Sequence, residues 1–166
     1  MMKRIVLMGF MGAGKTTIGK ELAAKLSWDF IDTDAEIEKE QGRKISEIFE
    51  TEGEQAFRDM ETDLLKRLEK KEERFVLSIG GGMPVREENK ELLRKIGTVV
   101  YLKTTKEELI RRLSGDTSRP LLQGGALEEK VSALMAAREA IYLETAHREV
   151  VTDGKMISHL IKEICS

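Results

Sequence analysis

Residues 9–16 read Gly9-Phe10-Met11-Gly12-Ala13-Gly14-Lys15-Thr16, which matches the pattern G-x-x-x-x-G-K-[ST] in full. The stretch follows a short apolar run at residues 4–8 and precedes Ile18, Leu22 and Leu26, which repeat at helical spacing. Between a strand and a helix, such glycines let the backbone approach phosphate groups, and the helix N-terminus adds positive potential. The stretch therefore predicts a strand, a phosphate-binding loop and a helix, with a chance match in a glycine-rich turn as the alternative.

The loop also predicts how a nucleoside triphosphate is held. The Lys15 ammonium would reach the β- and γ-phosphates, and the Thr16 hydroxyl would ligate Mg²⁺. We expect the remaining phosphate contacts from the loop and the first helical turn, at Gly12, Ala13, Gly14, Lys15, Thr16 and Thr17.

Strand-like and helix-like segments alternate along the whole chain. The strand-like segments are residues 4–8, 29–32, 74–78, 98–102 and 149–152. Helical spacing connects Phe57, Glu61, Leu64, Leu65 and Leu68, and also runs through residues 127–146. This alternation predicts an α/β fold in one domain over residues 1–166, with a parallel sheet and helices on both faces. Ligands of such a sheet bind outside the carboxyl ends of its strands.

Two helix boundaries carry local signals. Gly97 follows a predicted helix and is expected to adopt a left-handed cap. Thr104 stands three residues before Glu107, which predicts a capping box for the next helix.

Composition limits the possible partners. The chain has 166 residues, with 28 basic and 30 acidic side chains, so no broad field of one sign suggests nucleic acid or a membrane surface. The apolar run at residues 5–11 is too short to span a bilayer and leads into the loop, not into a cleavage site. Cys165 is the only cysteine, which excludes an intramolecular disulfide and fits a reducing cytosol, so we expect a cytoplasmic protein.

Two classes of nucleotide-binding protein lack support. Proteins that bind guanine nucleotides commonly carry Asn-Lys-x-Asp. The only asparagine of this sequence, Asn89, is followed by Lys90, Glu91 and Leu92. A motor would need a hydrophobic strand that ends in Asp-Glu, but the third strand ends in Ser78-Ile79-Gly80-Gly81-Gly82. A kinase remains the favoured class.

An acceptor site is predicted beside the loop. Asp32 and Asp34 stand at the end of the second strand, where i, i+2 spacing on an extended segment points both carboxylates the same way. One could hold the Mg²⁺ shell while the other accepts a hydroxyl proton. Alternatively, Asp34 merely caps a helix at residues 35–40. Gly80, Gly81 and Gly82 suggest close approach of a ligand to main-chain N–H groups, with a plain flexible turn as the alternative.

Taken together, the motifs resemble those of the shikimate kinase family. In chain order they are Gly-x-x-Gly-x-Gly-Lys-Thr-Thr at 9–17, Asp-x-Asp at 32–34, Gly-Glu-x-x-Phe-Arg-x-x-Glu at 53–61, Gly-Gly-Gly at 80–82, Arg-Pro-Leu-Leu at 119–122 and Arg-x-x-x-Tyr at 138–142. The resemblance implies a three-layer, P-loop NTP-kinase-like fold with a five-stranded parallel sheet and a mobile lid at about 114–125. It also implies a monomer that moves the γ-phosphoryl of ATP, with Mg²⁺, to the 3-hydroxyl of shikimate.

The resemblance assigns roles residue by residue. Lys15, Asp34 and Arg119 would be catalytic, with Arg119 delivered by the lid, and Asp32 would support Mg²⁺ through water. Shikimate would be bound by Asp34, Arg58, Gly80, Gly81, Gly82 and Arg138, while Arg112 and Asp153 are candidates on the adenine side.

Physical chemistry supports the acceptor side independently. Forked guanidinium groups suit a carboxylate, which shikimate carries. Arg58 could instead pair with Glu61 at i, i+3, and both contacts could hold.

Two alternative functions remain open from the sequence. One is another small-molecule P-loop kinase, for gluconate or a nucleoside monophosphate. The other is a nucleotide-binding regulatory domain without turnover, which would tolerate loss of Asp34 and Arg119.

Overall fold

The computed structural model describes residues 3–10, 13–114 and 126–166. Within these ranges, five strands alternate with α-helices. The elements are β1 Arg4–Met8, α1 Lys15–Leu26, β2 Asp29–Asp32, α2 Thr33–Gln41, α3 Ile45–Glu52, α4 Glu54–Glu69, β3 Phe75–Ser78, α5 Glu87–Ile96, β4 Thr98–Lys103, α6 Lys106–Leu113, α7 Leu127–Thr145, β5 Arg148–Val151 and α8 Ile157–Cys165, with a 3₁₀ turn at Met83–Val85.

The five strands form one parallel sheet in the order β2-β3-β1-β4-β5. This confirms the predicted fold. Two predicted strands have the observed bounds. β3 begins one residue later, at Phe75, β4 extends one residue further, to Lys103, and β5 is shifted one residue earlier at both ends. Such shifts are expected because strand ends carry little sequence signal.

Each face of the sheet packs against its own layer of helices. Val6 and Met8 of β1 lie in one buried cluster with leucines of α4 and α5. Ile5 and Leu7 point to the opposite face and pack with apolar residues of α1 and α8. Because successive side chains of a strand alternate between faces, a strand covered on both sides is apolar throughout.

The strand order places β1 at a topological switch point. β1 pairs with β3 on one side and with β4 on the other. In open parallel sheets, the crevice outside the carboxyl ends of the strands at such a point is where ligands bind. The segments that follow β1, β2 and β3 therefore meet at one edge of the sheet.

The left-handed cap predicted at Gly97 is wrong. Gly97 is extended, with φ −173° and ψ −164°. A Cβ at this position would lie 2.4 Å from the carbonyl oxygen of Arg4, so glycine is needed because the backbone of β1 passes close by.

The capping residue of α6 lies one position later than predicted. Thr105 is the N-cap, and its hydroxyl accepts a hydrogen bond from the backbone N–H of Glu108 at 3.3 Å. Thr104 is buried instead, with its hydroxyl oxygen 2.6 Å from that of Thr152. The hydrogen bond to Thr152 ties β4 to β5, which a local capping pattern cannot reveal.

Candidate active site

An open cavity of about 730 Å³ lies at the carboxyl ends of β1, β2 and β3. Its walls bring together most of the side chains that the sequence analysis singled out. These are Lys15, Thr16, Thr17, Asp32, Asp34, Arg58, Arg138 and the three glycines at 80–82. Residues that are far apart in the chain therefore share one site.

The phosphate-binding loop leads directly into α1. Gly14 is the N-cap of this helix and has φ +88°, a conformation that side chains rarely adopt, so glycine is required there. The Lys15 ammonium donates hydrogen bonds to the carbonyl oxygens of Gly9 at 2.6 Å and Phe10 at 3.3 Å. Lys15 is thus held over the loop, where its charge faces the cavity. Gly12 lies outside the described residues.

Thr16 and Asp32 form the oxygen-rich corner of the cavity. The Thr16 hydroxyl donates to Oδ2 of Asp32 at 3.3 Å. Mg²⁺ prefers oxygen ligands, keeps several waters and takes few protein ligands when it also binds substrate phosphates. A hydroxyl beside a carboxylate at the mouth of the loop fits that requirement. Within the described ranges, no group of three or more His, Cys, Asp or Glu side chains could hold a metal ion.

Asp32, not Asp34, caps the helix that follows β2. Oδ1 of Asp32 accepts hydrogen bonds from the backbone N–H groups of Asp34 at 2.9 Å and Ala35 at 3.2 Å. The alternative in which Asp34 merely caps a helix is therefore wrong, and α2 begins earlier, at Thr33. Asp34 lies in the first helical turn, so the two aspartates do not share an extended segment. The Asp34 carboxylate is left for the cavity.

Burial raises the pKa of Asp34 above its usual range, and the nearby negative charge of Asp32 raises it further. The positive charges of Lys15 and Arg58 act in the opposite direction. A carboxylate with a raised pKa is a better proton acceptor than an exposed aspartate. This is the property that a general base for a hydroxyl group requires.

Arg58 is held by two glutamates of its own helix. Its guanidinium donates to Glu61 at 2.8 Å and to Glu54 at 3.1 Å, which confirms the proposed i, i+3 pair with Glu61. Glu61 is fully buried, and its Oε2 atom has no hydrogen-bond partner among the described residues. Burial raises the pKa of Glu61 to about 7, against the opposing charge of Arg58. Arg58 is thereby oriented, and its guanidinium still lines the cavity.

The glycine triplet is packed against the site's own side chains. A Cβ on Gly80 would lie 3.0 Å from Oδ1 of Asp34, and one on Gly81 would lie 3.2 Å from Nη1 of Arg138. One on Gly82 would lie 2.4 Å from Nη2 of Arg58. The triplet was predicted to allow a ligand to approach. It also allows three polar side chains to approach one turn.

Four further residues shape the site, although their positions in the sequence predicted no role for them there. The buried Thr33 hydroxyl accepts a hydrogen bond from the Gly80 N–H at 3.2 Å. The Tyr142 hydroxyl donates to the Gly81 carbonyl oxygen at 2.5 Å. Phe49 packs edge-on against Phe57 at 5.2 Å, and both rings line the cavity. For Tyr142 the available signal was its position four residues after Arg138, on the same face of one helix.

The adenine-side candidates lie apart from this cavity's lining. Arg112 donates to Glu108 at 3.0 Å, and the Asp153 carboxylate accepts hydrogen bonds from the backbone N–H and hydroxyl of Thr105. Asp153 therefore anchors the start of α6, and contact of either residue with adenine stays a prediction. Arg119 and the lid segment at 114–125, apart from Ser114, lie outside the described residues.

A phosphate-binding loop that faces the half-buried Asp34 carboxylate and two arginines across one cavity defines a small-molecule kinase of the P-loop class. The sequence profile of the shikimate kinase family matches residues 11–166. The chain belongs to the shikimate kinase family.

Individual relatives agree with this assignment. The chain is similar to a shikimate kinase of Chromohalobacter salexigens, with 46% identity over 160 residues, 96% of this chain and 88% of the relative. Its fold matches that of a shikimate kinase from Acinetobacter baumannii solved in complex with shikimate, with a TM-score of 0.92 and 41% identity over 98% of this chain and 90% of that one.

A gluconokinase from Sinorhizobium meliloti shares only the fold, with a TM-score of 0.56 and 19% identity over 97% of this chain and 88% of that one. The alternative of a gluconate kinase is therefore not favoured. The predicted resemblance and the predicted class of phosphotransferase are confirmed, and ATP-dependent phosphorylation of shikimate follows from membership of the family. No helix in the described ranges is both long and apolar enough to cross a membrane.

Proposed function

We propose that this chain transfers the γ-phosphoryl group of ATP to the 3-hydroxyl of shikimate, and that the cavity residues perform the transfer in the roles given below. One observation carries the assignment of roles: Lys15, Asp34, Arg58 and Arg138 line the same cavity. This reaction needs a cation that binds phosphate, a base that accepts the hydroxyl proton, and two forked cations that bind the carboxylate.

The acceptor is bound by its charge and its ring. Its carboxylate lies between the guanidinium groups of Arg58 and Arg138, which can each donate two parallel hydrogen bonds. The Phe49 and Phe57 rings cover the carbon skeleton, and Asp34 takes the hydroxyl that reacts. N–H groups of the glycine turn also contact the acceptor.

Transfer proceeds by in-line displacement. The 3-hydroxyl oxygen forms a bond to the γ-phosphorus, the bond from that phosphorus to the β–γ bridging oxygen breaks, and ADP leaves with that electron pair. The hydroxyl proton passes to Asp34. Lys15 and the backbone N–H groups of the loop meet the negative charge on the phosphoryl oxygens.

Mg²⁺ would be held by Thr16 directly and by Asp32 through water, and when bound it neutralises charge on the β- and γ-phosphates. The distance of 3.3 Å between the two side-chain oxygens supports this pairing. Asp32 is at the same time fixed by capping α2.

We further propose that residues 114–125 form a lid that brings Arg119 to the transferring group and excludes water. We also propose that residues 1–166 act as one domain and that the protein is a cytoplasmic monomer. Arg112 and Asp153 are proposed to lie near the adenine.

A coupled assay of ADP release over a panel of acceptors tests the proposal. Shikimate should support turnover, whereas gluconate, a nucleoside monophosphate and water should give rates lower by at least about a hundredfold. Phosphorus NMR of the product then identifies which hydroxyl carries the phosphate. Comparable turnover with gluconate, or ATP hydrolysis that shikimate does not stimulate, would contradict it.

A pair of variants separates binding from chemistry in the same assay. Arg138→Ala should raise the KM for shikimate by about a hundredfold because a forked charged contact is lost. Arg148→Ala is the matched control, since Arg148 lies on β5 and hydrogen-bonds to the C-terminal residues. Arg148→Ala should leave the KM for shikimate and the KM for ATP unchanged.

A further inference from the structure

Tyr142 is fully buried one helical turn after Arg138, on the side of α7 that faces the sheet. Its ring meets that of Phe10 in the phosphate-binding loop edge-on, with 4.9 Å between the centroids. It also meets the ring of Tyr101 on β4 at 5.4 Å. A tyrosine hydroxyl at such depth normally has hydrogen-bond partners, and here both partners belong to the acceptor site.

The first partner is the glycine turn. The Tyr142 hydroxyl lies 2.5 Å from the carbonyl oxygen of Gly81, and it donates its single proton there because a carbonyl oxygen can only accept. In a planar trans peptide, the carbonyl and the following N–H point in opposite directions. Fixing the Gly81 carbonyl therefore also fixes the direction of the Gly82 N–H.

The second neighbour of the hydroxyl is Arg138, whose positively charged guanidinium interacts with it. A Cβ on Gly81 would lie 3.2 Å from Nη1 of Arg138 and equally far from the Tyr142 hydroxyl, so both groups touch the same glycine. Burial raises the pKa of Tyr142 to about 12 although the Arg138 charge opposes this. The hydroxyl thus stays protonated at neutral pH, so it donates to the Gly81 carbonyl while its oxygen remains available to Arg138.

We propose that Tyr142 is a positioning residue for the acceptor substrate: its hydroxyl sets the Arg138 guanidinium and the Gly81–Gly82 peptide in the orientation that receives the substrate carboxylate. The inference deepens the proposed function and rests on it. Tyr142 acts through Arg138 and the turn, because its hydroxyl is enclosed by these groups. The long arginine side chain would otherwise sample several rotamers, and ordering it in advance favours binding.

The test compares Tyr142→Phe with Tyr101→Phe. Each substitution keeps the ring and removes one buried hydroxyl that joins α7 to the rest of the protein, because Tyr101 donates to Glu139 of the same helix. Tyr142→Phe should raise the KM for shikimate about tenfold, with kcat within about threefold and the KM for ATP within about twofold of wild type. Tyr101→Phe should lower Tm to a similar extent and leave the KM for shikimate unchanged.

A substrate analogue adds a readout that a purely structural role would not move. Shikimyl alcohol carries a hydroxymethyl group in place of the carboxylate, so Arg138 cannot pair with it by charge. Tyr142→Phe should raise the KM for shikimate about tenfold and should change the KM for shikimyl alcohol by less than about twofold. A KM for shikimate within twofold of wild type, or equal losses for both substrates, would overturn the inference. If wild type does not turn over shikimate, the proposed function itself fails.

Fluorine NMR keeps the inference testable even if Tyr142→Phe does not fold. The chain has two tyrosines, so 3-fluorotyrosine labelling gives two resonances, and a Tyr101→Phe sample assigns them. Saturating shikimate should move the Tyr142 resonance further than the Tyr101 resonance. A Tyr142 resonance that does not respond to shikimate would contradict the inference.

Discussion

The guanidinium of Arg58 occupies the space in which a side chain on Gly82 would begin. An ideal Cβ on Gly82 would lie 2.4 Å from Nη2 and 2.9 Å from Nη1 of Arg58. The backbone of Gly82, with φ −90° and ψ −7°, is one that any residue can adopt. Glycine at this position therefore leaves room for the guanidinium in its observed place, and its own backbone conformation does not demand glycine.

Gly82→Ala should consequently damage binding more than folding. The added methyl group forces the arginine away from its place, so we expect the KM for shikimate to rise at least about tenfold with Tm close to wild type. Gly42→Ala is the opposite case, because Gly42 has φ +66° and no atom within 4 Å of an added Cβ. That variant should lose about 1 kcal/mol of stability with an unchanged KM. If Gly82→Ala and Gly42→Ala have the same KM for shikimate, the added methyl group at position 82 does not displace Arg58.

Lys15→Ala should abolish turnover while the protein stays folded. The ammonium is held over the loop by two backbone carbonyls and is the cation placed to follow the transferring phosphoryl group. We expect kcat to fall at least about a hundredfold with little change in Tm. Lys25→Ala, in the last turn of the same helix, is the control and should retain full activity. A Lys15→Ala variant with more than about a tenth of the normal kcat would exclude the role.

The two aspartates should respond differently to conversion to asparagine. Asp34→Asn removes the proton acceptor, so kcat should fall by about 10²-fold or more with little change in ATP affinity. Asp32→Asn preserves the helix cap, since asparagine caps well, but weakens the Mg²⁺ shell. It should raise the Mg²⁺ concentration needed for half-maximal rate. Titration of both variants with Mg²⁺ decides the matter, and identical responses would mean that the roles are misassigned.

Glu61 should make the stability of the ligand-free protein depend on pH. Its pKa in the fold is about 7, raised by burial from an ordinary value of 4.5. A raised pKa favours the protonated form, so the stabilisation is full below pH 4.5 and is lost as pH rises through 7. Over that range, wild type should lose about 3 kcal/mol of unfolding free energy relative to Glu61→Gln. Denaturant titrations at several pH values measure the unfolding free energy of wild type and of Glu61→Gln. If the two plots of unfolding free energy against pH are parallel, the fold does not raise the pKa of Glu61.

Arg119→Ala tests the proposed lid. An arginine delivered to a transferring phosphoryl group only on closure contributes to the rate and not to ground-state binding of shikimate. We expect near-normal shikimate affinity by calorimetry and a loss of kcat of about 10³-fold. Arg111→Ala is the control, because Arg111 is an exposed residue whose guanidinium pairs with Glu108. Protease sites within 114–125 should become protected when both ligands are present. Unchanged protection, together with less than about a fivefold loss of kcat, would exclude a lid.

The sequence predicted the fold and most of the cavity because both depend on local patterns. The alternation of short strand-like segments with helical patterns predicted the five strands, and the loop pattern predicted the position of Lys15. The helix cap could not be assigned from the sequence, since Asp32 and Asp34 are equally good capping residues and only the helix start decides between them. Gly97 is a similar case, because its need for glycine comes from Arg4, far away in the chain.

The contacts that orient the side chains of the site could not be predicted from the sequence either. Glu61 stands in the apolar stripe of α4, which signals burial, but the stripe does not say that one of its oxygens stays unpartnered. Thr33 lies between two aspartates, where nothing in the pattern points to the Gly80 N–H. Tertiary contacts of this kind depend on how helices cross the sheet, and single-sequence patterns do not encode that geometry.

The packing of the glycine turn also limits how this pocket can evolve. Each of the three glycines is in close contact with a polar side chain from α2, α4 or α7, so a mutation within the turn displaces a residue that binds or positions the acceptor. New specificity would therefore have to arise on the helices, and a larger residue at Gly82 would be tolerated only together with a smaller one at position 58. Adaptation to another acid is thus expected to require paired substitutions, and single-site libraries at 80–82 should yield enzymes with weakened shikimate binding and none with a new acceptor.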